Sequence, residues 1–84
     1  RRRVIHLFGR NGEEYRFYKK MKDLLEEISH TGNMFIRVHC SYVVNYYYIK
    51  SLSSTEAELL TGEKLPVSGE YKNEALKKFM GMME

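Results

Sequence analysis

Phe35-Ile36-Arg37-Val38-His39-Cys40-Ser41-Tyr42-Val43-Val44-Asn45 is the stretch whose reading decides the fold. Phe35 to Val38 has the apolar, β-branched content of a short strand, whereas His39 to Asn45 follows no clean period. Arg37, His39 and Ser41 stand two residues apart. A strand and its extension would therefore show guanidinium, imidazole and hydroxyl on one face, all able to donate to phosphate oxygens or base edges. A polar row between apolar neighbours is unusual for a core strand, although a solvated sheet face has the same pattern.

Upstream of this stretch, Val4, Ile5, Leu7 and Phe8 read as a strand. The Gly9-Arg10-Asn11-Gly12 segment reads as a tight turn whose Asn-Gly pair favours left-handed backbone angles. Glu13 to Tyr18 follows as a half-buried strand, with Tyr15 and Phe17 alternating against Glu14 and Arg16. From Lys19 to Ser29 the apolar spacing changes to Met21, Leu24, Leu25, Ile28, one stripe of an amphipathic helix that Gly32 and Asn33 should end. Its charges oppose the helix dipole, so the stripe must carry it. Lys19 and Lys20 are weak phosphate-contact candidates.

Downstream, Tyr46-Tyr47-Tyr48-Ile49 looks strand-like, which would bury at least one tyrosine and leave others as a possible stacking face for bases. Thr55 to Leu60 and Lys64 to Val67 flank Thr61-Gly62-Glu63 as a second hairpin, and Pro66 marks an edge strand. Ser68 is a candidate N-cap for a closing helix with the stripe Tyr71, Ala75, Leu76, Phe79, Met80, stopped by Gly81. Met80, Met82 and Met83 read as a helix stripe running into a frayed tail. The expected fold is mainly β with two helices, in one domain over residues 1–84.

With 84 residues, the chain can bury only a small core. No apolar run approaches the roughly 20 residues of a membrane span. The single cysteine, Cys40, excludes an internal disulfide, and no signal-peptide core is visible, so a cytoplasmic setting is expected. The chain opens on Arg1 and is read as cut or processed from something longer, with a partner domain expected upstream. Net charge is +3, but unevenly spread. Arg1, Arg2, Arg3, Arg10, Arg16, Lys19, Lys20 and Lys22 face only Glu13 and Glu14 in the first 22 residues, and the remainder is net acidic. A basic end of this kind suits a polyanion, and it equally suits a solvated terminus.

Catalysis is not expected. On an extended segment His39 and Cys40 would point to opposite faces and form no nucleophile–base pair. His6, His30, His39 and Cys40 lack regular metal-ligand spacing, and His6 reads as a packed or edge histidine. No glycine-rich phosphate loop opens a helix, and no cofactor is implied.

The run from Phe35 to Asn45, followed by Tyr48-Ile49-Lys50 and later by Leu65-Pro66-Val67-Ser68, resembles the LytTR family of bacterial response-regulator output domains across essentially the whole chain. The resemblance implies an elongated, antiparallel stack of β-sheets that reads duplex DNA from loops, at promoters carrying paired repeats. Relative to a complete family member an N-terminal strand is expected to be missing. Base-reading side chains would come from the loop entering the first strand, here about Arg1 and Arg2, from Cys40, and from Gly69. Two of these depart from the family's pattern. Cys40 stands where Arg, Lys or Asn is usual, and Gly69 where Arg is frequent, so base discrimination should fall while backbone contacts survive. Arg37, His39, Ser41 and Lys72 are the expected phosphate contacts, with Asn45 and Ser68 completing the motif.

The resemblance further implies an upstream receiver or sensory domain in a two-component system, and a possible homodimer on DNA. The rival reading is a LytTR-like domain reused for protein interaction or dimerisation, with weak non-specific DNA binding and an acidic helix face (Asp23, Glu26, Glu27) available. A minor third reading is redox control through Cys40.

Overall fold

The same backbone device closes two of the hairpins in the computed structural model, which describes residues 4–30 and 34–82. Between β1 (Ile5–Phe8) and β2 (Glu14–Phe17), Gly9 N–H donates to Glu13 O at 2.8 Å and Gly12 N–H to Gly9 O at 3.1 Å, with Gly12 at φ +89°. Between β6 (Glu56–Leu59) and β7 (Lys64–Pro66), Leu59 N–H donates to Glu63 O at 2.8 Å and Gly62 N–H to Leu59 O at 2.9 Å, with Gly62 at φ +95°. Each is a three-residue loop whose last position needs the left-handed region, which glycine enters at no steric cost. Asn11 does not share that conformation: among the described residues only glycines have positive φ.

Two sheets result. The first has the order β2-β1-β4-β3, with β3 at Phe35–His39 and β4 at Tyr42–Asn45, and the second runs β5 (Ile49–Leu52)-β6-β7. Pairing is antiparallel except between β1 and β4, which run parallel with His6 opposite Tyr42. Pro66 lies on the edge strand β7, where its missing N–H costs no ladder bond.

The first sheet is the middle of three layers. Ile5, Leu7, Phe35 and Val43 face α1 (Met21–Ile28), which buries Leu24 among them and packs Met21, Leu25 and Ile28 alongside. No side-chain bond caps α1 at Lys20, so the apolar stripe does carry it. The opposite face contributes Phe8, Ile36, Val38 and Val44 to a core shared with Tyr48, Ile49, Ala57, Leu59, Leu65 and Val67 of the second sheet and its flanks. Burying side chains of this size is worth about 1.5–3 kcal/mol each. The α2 helix (Lys72–Met82) closes this core through Ala75, Phe79 and Met82. Extents of 32 × 26 × 23 Å make the molecule mildly elongated.

Four sequence expectations change. His39 to Asn45 is the end of β3, a turn at Cys40-Ser41 and strand β4. Its lack of period comes from a bulge, because the register passes from Arg37↔Val43 to His39↔Tyr42. Tyr46–Tyr48 is a 3-10 turn, not a strand, since Asn45 Oδ1 accepts from Tyr47 N–H at 2.9 Å. Only Tyr48 of the three is buried. Helix α2 continues through Gly81, and Met82 packs on the core while Met80 is 63% exposed. Gly32 and Asn33, assigned to end the first helix, lie outside the described residues, and α1 ends at Ile28 with Ser29 as its C-cap.

Candidate nucleic-acid interface

Strand direction brings distant segments together at one end of the first sheet. Because β1 and β4 run parallel, the start of β1 lies beside the start of β4, which is the Cys40-Ser41 turn, and His6 N–H donates to Ser41 O at 2.7 Å. From the other side, Ser68 N–H donates to Val38 O at 2.8 Å, attaching the segment between β7 and α2 to the end of β3. The entry to β1, the turn at Cys40 and the Ser68-Gly69 segment thus meet at one sheet end. Arg1 and Arg2 immediately precede this entry in sequence but lie outside the described residues.

Within the turn, Ser41 N–H donates to His39 Nδ1 at 3.1 Å, and Cys40 Sγ lies 3.6 Å from the same nitrogen and 3.9 Å from Ser41 Oγ. The extended geometry that would have separated His39 from Cys40 is therefore absent, because the strand ends between them. All three side chains are half-buried. Tyr42 packs between two imidazoles, its ring centroid 5.4 Å from His39 and 5.5 Å from His6. His6 Nδ1 meets Glu14 Oε2 at 2.5 Å across the hairpin, and Arg16 Nε stands 3.6 Å from the same oxygen. The hydrogen bond from His6, with the charges of His6 and Arg16 behind it, holds the Glu14 carboxyl below its ordinary range, against a smaller opposing effect of burial.

Arg37 does not share a face with His39. Arg37 pairs with Val43 before the bulge and His39 with Tyr42 after it; the Arg37 side chain reaches α2, where its guanidinium carbon lies 4.2 Å from the Tyr71 ring centroid and its Nη2 donates to Glu74 Oε1 at 2.8 Å. Its buried Nε has no acceptor among the described residues, a desolvation cost of about 1–3 kcal/mol set against the stack and the ion pair. The row of three donors expected on one strand face is therefore split, with Arg37 holding the helix and His39 and Ser41 shaping the turn.

Ser68 does not cap α2 directly. Its Oγ accepts from Glu70 N–H at 3.2 Å and its carbonyl from Tyr71 N–H at 3.0 Å, a tight turn ahead of the helix start at Lys72. Gly69 is exposed, and a Cβ built there would meet nothing within 4 Å, so space for a larger residue exists. Asn45 stands apart. It lies at the far end of β4, paired with Phe35 and 2% exposed, and its carboxamide holds the 3-10 turn. Lys19, a weak phosphate candidate, is bonded to Glu27 at 2.8 Å.

His6, Tyr42, Tyr71 and Glu74 were not singled out from the sequence as parts of this region. The hairpin register could have found one contact: once the Gly12 loop is read as three residues, His6 falls opposite Arg16 and diagonal to Glu14. No group of three or more His, Cys, Asp or Glu among the described residues could hold a metal ion. No described helix is long and apolar enough to cross a membrane.

Turns and segments from three parts of the chain thus gather at one end of the first sheet. A family model described as the LytTr DNA-binding domain matches residues 1–80. The chain belongs to the LytTR family of DNA-binding domains, which bears out the resemblance read from residues 35–50 and the mainly β fold with two helices. No match was found among curated proteins or among solved structures.

Proposed function

We propose that this domain binds duplex DNA in a sequence-directed manner at the sheet end built from the entry to β1, the His39–Tyr42 turn and the Ser68–Lys72 segment. The observation that carries the reading is the pair of backbone bonds, His6 to Ser41 and Ser68 to Val38, that joins these segments. Arg1, Arg2, His39, Ser41, Ser68 and Lys72 contact phosphate or base edges, while Cys40 and Gly69 occupy recognition positions without a bidentate side chain. Arg37 acts by holding α2, and Asn45 by holding the 3-10 turn that follows β4. The domain serves as the output part of a bacterial response regulator, C-terminal to a receiver or sensory domain, and binds paired repeats as a dimer.

Competition between a duplex selected from a random pool and its scrambled counterpart, across a salt series, tests this. Preference for the selected duplex, with affinity falling steeply as salt rises, is expected. Equal affinity for both would leave non-specific DNA binding, and no binding to either would favour the protein-interaction reading.

A further inference from the structure

The His39 ring carries its proton in a place that its neighbours dictate. Ser41 N–H points at Nδ1 from 3.1 Å, and a backbone amide can only donate, so Nδ1 must be the acceptor and hold no proton. The Cys40 thiol, 3.6 Å from the same nitrogen, can serve it only as a second donor. An imidazole with Nδ1 accepting is neutral and has its hydrogen on Nε2. The chain uses the same local geometry elsewhere, as where Asn45 Oδ1 accepts from the amide two residues on, at Tyr47.

We propose that His39 meets DNA as a neutral imidazole locked in the Nε2–H tautomer, donating that hydrogen to a phosphate oxygen of the duplex. The assignment rests on the DNA-binding reading above and adds the chemical form in which this residue acts. Tyr42 limits tilting of the ring from one side, and the Ser41 amide fixes its rotation about Nδ1. A neutral donor differs from a cation in a measurable way. It strengthens binding but displaces no counterion, so its loss lowers affinity without changing the salt slope, whereas loss of an imidazolium–phosphate contact lowers the slope by about one.

Two measurements test the proposal. Long-range nitrogen–proton NMR spectra of the domain, free and bound to duplex at neutral pH, should show His39 with hydrogen on Nε2 alone, the signal being assigned by its loss in His39→Gln. A hydrogen on Nδ1, or on both nitrogens, overturns the proposal in either state. For binding, His39→Asn keeps an oxygen for the Ser41 amide while its own N–H groups fall short of the Nε2 position, whereas His39→Gln extends an amide N–H towards that position. Asn is expected to weaken binding to selected and scrambled duplexes alike by about tenfold at unchanged salt slope, with Gln recovering part of the loss. A slope lowered by about one, equal loss in both variants, or a loss confined to the selected duplex would overturn the phosphate-donor assignment. If the unaltered domain binds no duplex, the functional reading falls and the donor role with it, while the spectrum of the free domain still judges the tautomer.

Discussion

Arg37 stacks its guanidinium on Tyr71, 4.2 Å from ring carbon centroid to Cζ, and by this contact the end of β3 grips the segment that leads into α2. The ion pair to Glu74 on the first turn of that helix completes the grip. A guanidinium so engaged ties β3 to the segment that leads into α2.

Arg37→Ala should therefore weaken DNA binding by loosening this segment while leaving the salt slope of the affinity unchanged. Lys72→Ala should lower that slope by about one. Glu74→Gln, which removes an exposed partner, should cost less than about 1 kcal/mol of stability. Binding isotherms at several salt concentrations, with thermal unfolding alongside, separate these effects.

The two positions proposed for recognition, Cys40 and Gly69, can be given long donors. Gly69→Arg meets open space, so it should fold with unchanged stability and raise affinity for a duplex selected with that variant, with base discrimination of about 1–3 kcal/mol. Cys40→Asn should add discrimination of the same order at its own position. Selection from random duplexes by each variant would reveal the gained base preference as a newly fixed position in the site.

The two turn glycines should respond unequally to alanine. Both have positive φ, costing a non-glycine residue about 1–2 kcal/mol. At Gly12 the added Cβ would also lie 2.8 Å from the buried Tyr48 ring, whereas at Gly62 nothing lies within 4 Å. Gly12→Ala should thus lower the melting temperature well beyond Gly62→Ala, each 1 kcal/mol corresponding to about 4–8 °C in a domain of this size. Calorimetry of the two variants side by side measures the difference.

Acid should expose the Glu14 contact. Its carboxyl is held low chiefly by the His6 hydrogen bond, so its folded value lies below its unfolded one. The contribution is present above the ordinary carboxylate range and is lost as pH falls through the lowered folded value. Glu14→Gln should accordingly be slightly less stable than the unaltered domain at neutral pH, with the gap closing below about pH 4. Denaturant unfolding at a series of pH values reads this, and the effect is small because the side chain is 36% exposed.

Elements governed by local chemistry were legible in the sequence. Gly12 and Gly62 announce the β1–β2 and β6–β7 hairpins because a left-handed turn position selects glycine, and Met21, Leu24, Leu25 and Ile28 announce α1 because a four-residue stripe is enough to dock a short helix. The β3–β4 pair was obscured by its bulge, which breaks the two-residue period at Val38, just ahead of the turn at Cys40-Ser41. The tyrosine triplet has strand propensity, yet the Asn45 side chain supplies a turn that propensity does not weigh. The role of Arg37 depended on Glu74, 37 residues away, and no local pattern contains such a partner. For the site, the resemblance in residues 35–50 indicated the class of partner, while the division of labour between Arg37 and His39 needed three dimensions.

Amide chemical-shift mapping of the domain titrated with its selected duplex tests the central claim most directly. The account expects the perturbed amides to cluster at Val4 to His6, His39 to Tyr42 and Ser68 to Lys72, with the acidic face of Asp23, Glu26 and Glu27 unchanged. Perturbation centred on that acidic face or on Tyr46 to Tyr48, with the Cys40 turn silent, would contradict it.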